Sequence, residues 1–175
     1  MLVVLRGWPG YQCPFCERQV HDLVESAPQL KKRGIQMLFV YPGPADQLKA
    51  HAQEFLQNKD WPADFLFVID PDYTFTNSYG LRWDAPKETA YPSTFIIDRD
   101  RTVRFAHVSK EHGGRVGAKE LLKRLDELQF LSRLRRKQGQ PAQRAAVATD
   151  DFHRIRSTPA EMVDRGNDSW WRRDA

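Results

Sequence analysis

Two cysteines, Cys13 and Cys16, are the residues of this chain whose type and spacing most directly indicate chemistry. They are the only cysteines among 175 residues, and two residues separate them. A single Cys-x-x-Cys pair indicates either thiol redox chemistry or a metal site. A third interpretation is that both side chains simply pack in the core. Which interpretation holds depends on the elements that position the pair.

A zinc site is the weaker of the two chemical interpretations. Structural zinc needs about four ligands, and the pair supplies two of them. The histidines show no second paired spacing that would complete such a site; they are His21, His51, His107, His112 and His153. We therefore predict no metal, and two cysteines are also too few for a disulfide framework.

Short apolar runs alternate with helical patterns along the chain. The runs predict strands at 2–5, 35–40, 65–70, 93–98 and 102–108, the last two forming a hairpin, and "YPGP" at 41–44 is expected to end the second strand. Helices are predicted after Cys13 as far as Pro28, over 45–58, and around Leu121, Leu122, Leu125 and Leu128. This order predicts an α/β fold: a central mixed sheet, parallel in its core and flanked by helices.

The predicted elements place Cys13 where a loop passes into a helix. Pro14 follows, and proline suits the first helical position because its missing N–H has no partner there. Unpaired backbone N–H groups and the positive end of the helix dipole favour a thiolate at Cys13. Cys16 lies one turn further into the helix. We predict that Cys13 attacks and that Cys16 resolves the adduct into an internal disulfide, without a bound cofactor.

The charge distribution divides the chain into a neutral body and a basic end. Residues 1–131 carry 17 basic and 17 acidic side chains, whereas residues 132–175 carry 10 and 6. Beyond about residue 135 the sequence is polar and has no sustained period. We predict one domain over 1–131 and a basic, largely disordered tail over 132–175. A neutral body argues against nucleic-acid binding.

No apolar run approaches the length of a membrane span, and the N-terminal residues have no signal-peptide pattern. The expectation from sequence is a soluble, cytoplasmic protein without a membrane partner.

Three motifs taken together resemble a known family. They are "CPFC", "AYPSTFIIDRDRTVRFAHVS" and "HGGRVGAKELL", and the resemblance spans Leu2 to Leu128. They resemble the thioredoxin-fold redoxins and, more narrowly, the peroxiredoxin-like branch of the alkyl hydroperoxide reductase and thiol-specific antioxidant family. The resemblance implies a thioredoxin-like fold, reduction of hydroperoxides, and a thioredoxin-like protein or a small thiol as reductant.

The resemblance also implies substrate-binding residues. Pro92 in "YPST" matches the cis proline that opens the strand facing the cysteines, and it would expose the backbone of Tyr91 to substrate. The alternative is an ordinary trans proline at a strand start. Arg115 resembles another arginine of the family, although a surface charge explains it equally well. Tyr11 and Gln12, directly before Cys13, complete the expected set.

The sequence departs from the family at the site. Arg6 and Gly10 stand where peroxiredoxins carry proline and threonine or serine, and Pro92 stands where they commonly carry an arginine. The overall likeness therefore favours peroxide, and the local residues favour disulfide exchange on proteins. A remoter alternative is a non-catalytic binding module that uses the basic tail.

Two carboxylates, Asp84 and Glu88, lie in the turn-rich segment before Pro92. They are candidate proton acceptors during thiol exchange, but we interpret them primarily as surface charges.

Overall fold

The structure, a computed structural model, describes residues 1–137. In chain order the elements are β1 (Leu2–Val4), α1 (Pro14–Glu25), α2 (Ala27–Lys32), β2 (Met37–Gly43), α3 (Leu48–Leu56), β3 (Phe65–Pro71), α4 (Thr74–Ser78), β4 (Ser93–Ile97), β5 (Val103–Val108) and α5 (Ala118–Lys137).

The strands form one mixed sheet in the order β3-β2-β1-β4-β5. β1 and β2 pair in parallel, as do β2 and β3. β4 runs antiparallel to both β1 and β5, so the second half of the sheet is the predicted hairpin edge. The predicted α/β fold with a mixed central sheet is confirmed. β1 lies at the middle of the sheet. The loop that follows it lies at the carboxyl edge, where ligand sites of such sheets are found.

Alternating side chains along β1 face two apolar layers. Val3 and Leu5 belong to the larger core, which also contains buried residues of α1, α3 and α5. Val4 faces a smaller cluster beneath the loop before β4, with Leu81 and Ala90 among its members. Helices α1 and α5 thus pack on the same side of the sheet as the cysteines, which belong to the larger core.

The first helix breaks where proline predicts it. α1 ends at Glu25 and α2 begins at Ala27, with Pro28 in its first turn. A proline there costs no intrahelical hydrogen bond, but it prevents α1 from continuing unbroken.

The second strand ends within "YPGP" as expected, but at Gly43 rather than at the predicted bound of residue 40. β2 continues through Pro42 and Gly43, which pair with Asp70 and Pro71 of β3. Proline is tolerated because β1 has ended by this level, and a loop residue instead donates to the Pro42 carbonyl. That loop lies so close that a Cβ on Gly7 (φ +69°) would meet the Pro42 carbonyl oxygen at 1.9 Å.

α5 runs past residue 131, where the sequence places the end of the domain. Leu121 and Leu125 are buried, and Leu122 and Leu128 pack partly against the same core. The Asp22 carboxylate of α1 accepts a hydrogen bond from the Ala118 backbone (2.6 Å), which ties the start of α5 to α1. Of the predicted disordered tail over 132–175, residues 132–137 belong to α5, and residues 138–175 lie outside the described residues.

Within residues 1–137, no helix combines the length and apolar character needed to cross a bilayer.

Candidate active site

Cys13 is the N-cap residue of α1. Its backbone is extended (φ −77°, ψ 112°), Pro14 occupies the first helical position, and the Cys13 carbonyl accepts the first helical hydrogen bond from Glu17 (3.0 Å). The sequence prediction of a cysteine at a helix start is confirmed. The position brings Cys13 next to helical N–H groups that have no carbonyl partner within the helix.

Both sulfur atoms lie beneath the surface. Cys13 is 1% exposed and Cys16 is fully buried, and neither forms a disulfide in this structure. The guanidinium of Arg115 reaches both: its Nη2 lies 3.2 Å from Cys16 Sγ and 3.6 Å from Cys13 Sγ. The backbone N–H of Arg6 donates to Cys16 Sγ (3.3 Å). The loop after β1 and the loop before α5 therefore both contribute donors to the pair.

The two thiols differ in acidity. A hydrogen bond from the Cys16 thiol is the main reason that the pKa of the Cys13 thiol lies well below its usual range, against the opposing effect of burial. The Cys16 backbone N–H and the charge of Arg115 act in the same direction. Burial raises the pKa of Cys16 well above its usual range, and the hydrogen bond to Cys13 adds to the rise. These opposite directions favour the thiolate at Cys13 and the thiol at Cys16.

A buried ion network lies next to the pair. Arg6 is 2% exposed, and its guanidinium donates to Glu88 Oε2 (2.7 Å), Tyr11 Oη (2.5 Å) and the Lys87 carbonyl (2.6 Å). Glu88 Oε1 is also hydrogen-bonded to His112 Nε2 (2.8 Å). Although burial raises the pKa of the Glu88 carboxyl, these two partners outweigh it and lower the pKa overall.

Comparison with known proteins identifies the family. The family model for Redoxin matches residues 2–122, which is most of the chain. The chain belongs to the Redoxin family. Redoxins are thiol-dependent oxidoreductases, so the chain is an enzyme of this class. No curated protein matches the chain.

The solved structures similar to this redoxin include AhpC proteins and peroxiredoxins. AhpC of Enterococcus faecalis has a TM-score of 0.57 and 18% identity, covering 81% of this chain and 80% of that one. Reduced Prx3 of Vibrio vulnificus, in complex with hydrogen peroxide, has a TM-score of 0.55 and 21% identity, covering 73% and 78%. AhpC of Mycobacterium tuberculosis has a TM-score of 0.54 and 20% identity, covering 73% and 67%. These likenesses confirm the thioredoxin-like fold.

The predicted cis proline is wrong for this redoxin. No peptide bond among residues 1–137 is cis, so Tyr91–Pro92 is trans. The trans form is the ordinary state, and the surroundings accommodate it. Tyr91 N–H donates to the Leu81 carbonyl (2.9 Å), and the Tyr91 carbonyl accepts from the Ser93 hydroxyl (2.7 Å). The Tyr91 backbone that was expected to bind substrate is therefore already hydrogen-bonded within the chain.

Tyr11 and Gln12 of the redoxin have different surroundings. Tyr11 is 44% exposed and its hydroxyl accepts from Arg6, so it borders the network beside the cysteines. The Gln12 side chain instead accepts from the Tyr41 hydroxyl (2.8 Å) and donates to the His51 carbonyl (2.9 Å). The hydrogen bonds of Gln12 therefore attach its loop to β2 and α3.

Sequence reasoning missed part of this arrangement. Glu88 was interpreted primarily as a surface charge, but its side chain is 10% exposed and joins Arg6 to His112. His112 drew attention only as a possible zinc ligand. Among residues 1–137, no three His, Cys, Asp or Glu side chains gather as metal ligands would. No local pattern links these residues, because Arg6 and Glu88 are 82 positions apart.

Proposed function

We propose that this redoxin reduces hydroperoxides by a dithiol cycle in which Cys13 attacks and Cys16 resolves. The observation that carries the proposal is the position of the Arg115 guanidinium, within 3.6 Å of both sulfur atoms. One cation placed there favours the Cys13 thiolate and also faces the point at which negative charge develops on a departing oxygen. The Redoxin family match supports the same reaction class.

The first step forms a bond between the Cys13 sulfur and the terminal peroxide oxygen. The O–O bond breaks, the departing oxygen takes a proton and leaves as an alcohol or as water, and Cys13 becomes a sulfenic acid. The peroxide gains two electrons, which the sulfur loses. Arg115 stabilises the charge on the departing oxygen during this step.

The second step forms the disulfide. The Cys16 sulfur bonds to the Cys13 sulfur, and the sulfenic hydroxyl leaves with the Cys16 proton as water. Cys16 is fully buried one helical turn from Cys13, and one nitrogen of Arg115 contacts both sulfur atoms, so little movement is required. A thioredoxin-like protein or a small thiol then returns the pair to the dithiol. The cytoplasm, the location expected from sequence, provides such reductants.

The contacts favour a small substrate over a protein disulfide. Cys13 is 1% exposed, so a bulky disulfide has little direct access to its sulfur. The Tyr91 N–H and carbonyl, which would pair with an extended polypeptide, are already bonded to Leu81 and Ser93. Disulfide exchange on proteins remains the competing proposal, because a low Cys13 pKa beside a high Cys16 pKa serves both reactions.

The test uses the full chain in its reduced form, mixed with one equivalent of hydrogen peroxide. Intact mass and free thiols are followed over time for the wild type, Cys13→Ser and Cys16→Ser. We expect rapid formation of an internal disulfide in the wild type, a trapped sulfenic acid in Cys16→Ser, and no rapid oxidation in Cys13→Ser. Oxidation no faster than that of a free cysteine would exclude the peroxidase, and the protein would then be assayed on an oxidised protein substrate.

A further inference from the structure

The Glu88 carboxylate links two separate loops of the site. It lies in the segment between α4 and β4, and its side chain is only 10% exposed. Oε2 accepts from Arg6 Nε at 2.7 Å, and Oε1 is hydrogen-bonded to His112 Nε2 at 2.8 Å. One oxygen therefore holds the loop after β1, and the other holds the loop before α5.

The Arg6 branch of this link ends on Cys16. The Arg6 backbone N–H donates to Cys16 Sγ, and the guanidinium of the same residue is fixed by Glu88, Tyr11 and the Lys87 carbonyl. A side chain with all these partners restrains the backbone that carries it. The position of the N–H donor on Cys16 therefore depends on the ion pair with Glu88.

The His112 branch ends on both sulfurs. The His112 carbonyl accepts from Arg115 Nη1 at 2.9 Å, while Arg115 Nη2 donates to Cys13 and Cys16. The buried Nε of Arg115 has no hydrogen-bond partner within residues 1–137. The hydrogen bond to the His112 carbonyl therefore orients the Arg115 guanidinium. Glu88 in turn holds the His112 ring.

We propose that Glu88 is a positioning residue for peroxide reduction, acting through Arg6 and His112 to set both donors that touch the cysteine sulfurs. The inference rests on the proposed function, because it concerns the orientation of the groups that assist Cys13. Glu88 makes no hydrogen bond to either sulfur, and its effect passes through the two loops that it joins.

A purely electrostatic role for Glu88 predicts the opposite sign of effect. The charged or titratable groups around Glu88 are Arg6 and His112, which contact its carboxylate, and Arg82, which donates to its backbone carbonyl (3.1 Å). Tyr11 and Arg115 lie one contact further away. Removing a negative charge from this site would favour the Cys13 thiolate and lower its pKa. Losing the aim of Arg115 would disfavour the thiolate and raise that pKa. The sign of the shift therefore distinguishes the two roles.

The experiment measures the thiolate absorbance of the reduced full chain as a function of pH. Glu88→Gln removes the charge and replaces one of the two acceptor oxygens by an NH2 donor, so a single oxygen is left to accept from Arg6 and His112. We expect the Cys13 pKa to rise and the rate constant with hydrogen peroxide to fall about tenfold, since misplacing a catalytic group by about 1 Å costs up to about 100-fold. Asp84→Asn is the matched control, because this carboxylate of the same segment has a side chain 94% exposed. It should change neither quantity. A Cys13 pKa that stays constant or falls in Glu88→Gln would overturn the proposal.

A second variant separates the length of the Glu88 side chain from its charge. It also provides a test if Glu88→Gln does not fold. Glu88→Asp keeps the carboxylate but shortens it by one methylene, so it cannot hold Arg6 and His112 together at the present distances. We expect the same direction of both effects in Glu88→Asp. Behaviour identical to the wild type would show that charge alone matters and would refute positioning.

A double-mutant cycle tests the route through Arg115. If Glu88 acts by aiming this guanidinium, Glu88→Gln should slow peroxide reduction much less in an Arg115→Ala background than in the wild type. Equal slowing in both backgrounds would contradict the His112 branch. The pKa measurement needs no peroxide, so it tests Glu88 even if the wild type proves unreactive with peroxide and the proposed function fails.

Discussion

Arg6 and Arg115 both contact the cysteine pair, but they present different atoms to it. Arg6 offers its backbone N–H to Cys16, and its guanidinium is turned to Glu88, Tyr11 and the Lys87 carbonyl. Arg115 offers its guanidinium to both sulfurs, and its Nε has no hydrogen-bond partner in the described part of the chain. A cation whose donors are already satisfied stabilises the fold, whereas one with free donors can follow charge that develops in a reaction.

The comparison explains how the site accommodates its departures from peroxiredoxins. Arg6 stands where that family has proline, and its guanidinium does not reach the sulfurs. The contacts of Arg6 leave its guanidinium turned away from the pair, so Arg115 is the better candidate for a donor to bound peroxide. Substitutions of the two arginines should therefore have different effects: on stability for Arg6, and on rate and pH dependence for Arg115.

The largest effect is expected on stability, from Arg6→Met. The apolar stem is kept, but Glu88 loses its buried partner, and breaking a buried ion pair costs about 3–5 kcal/mol. Denaturant unfolding of the reduced protein measures the loss. Arg33→Met is the control, since the ion pair of Arg33 with Asp126 lies at the surface and should matter far less. A loss no larger than that of the control would mean that the Arg6 network is not a structural anchor.

The next effect is expected on rate, from Arg115→Ala. Removing one oriented donor at a site of developing charge slows a reaction by about 100-fold or more. The rate constant of Cys13 oxidation by hydrogen peroxide, followed by mass and thiol loss, measures it. Arg18→Ala is the control, because Arg18 is an exposed residue of α1 near the ring of Phe15. If both variants react like the wild type, the proximity of Arg115 to the sulfurs has no catalytic meaning.

The smallest of the three is a change in pH dependence. The lowered pKa of Cys13 means that its thiolate persists to lower pH than a free cysteine, whose pKa is about 8.5. The alkylation rate of Cys13, measured by peptide mass, should therefore stay nearly constant between about pH 9 and 7 in the wild type. In Arg115→Ala the pKa of Cys13 should rise because one of the charges that lower it is removed, so its alkylation rate should begin to fall at a higher pH than in the wild type. A wild-type rate that falls tenfold per pH unit below the free-cysteine value would contradict the lowered pKa.

Much of the fold could be predicted because it depends on neighbours in sequence. Apolar runs mark the five strands, and the short "RDR" connection marks the β4–β5 hairpin. The break between α1 and α2 follows from Pro28, and the helix start at Cys13 follows from Pro14. β2 ends within "YPGP" but three residues beyond the predicted bound, because Pro42 is tolerated where β1 no longer pairs with it, which a local pattern does not reveal.

The sequence by itself determined the chemistry: two cysteines one helical turn apart at the start of a helix, where backbone N–H groups favour a thiolate. Only the tertiary structure decided which groups assist them. Arg115 meets Cys16 across 99 positions, and Glu88 meets Arg6 across 82. It also decided that Tyr91–Pro92 is trans and that the Tyr91 backbone is engaged. Local order follows from steric and hydrogen-bonding rules over a few residues, whereas these contacts exist only after the sheet brings distant loops to one edge.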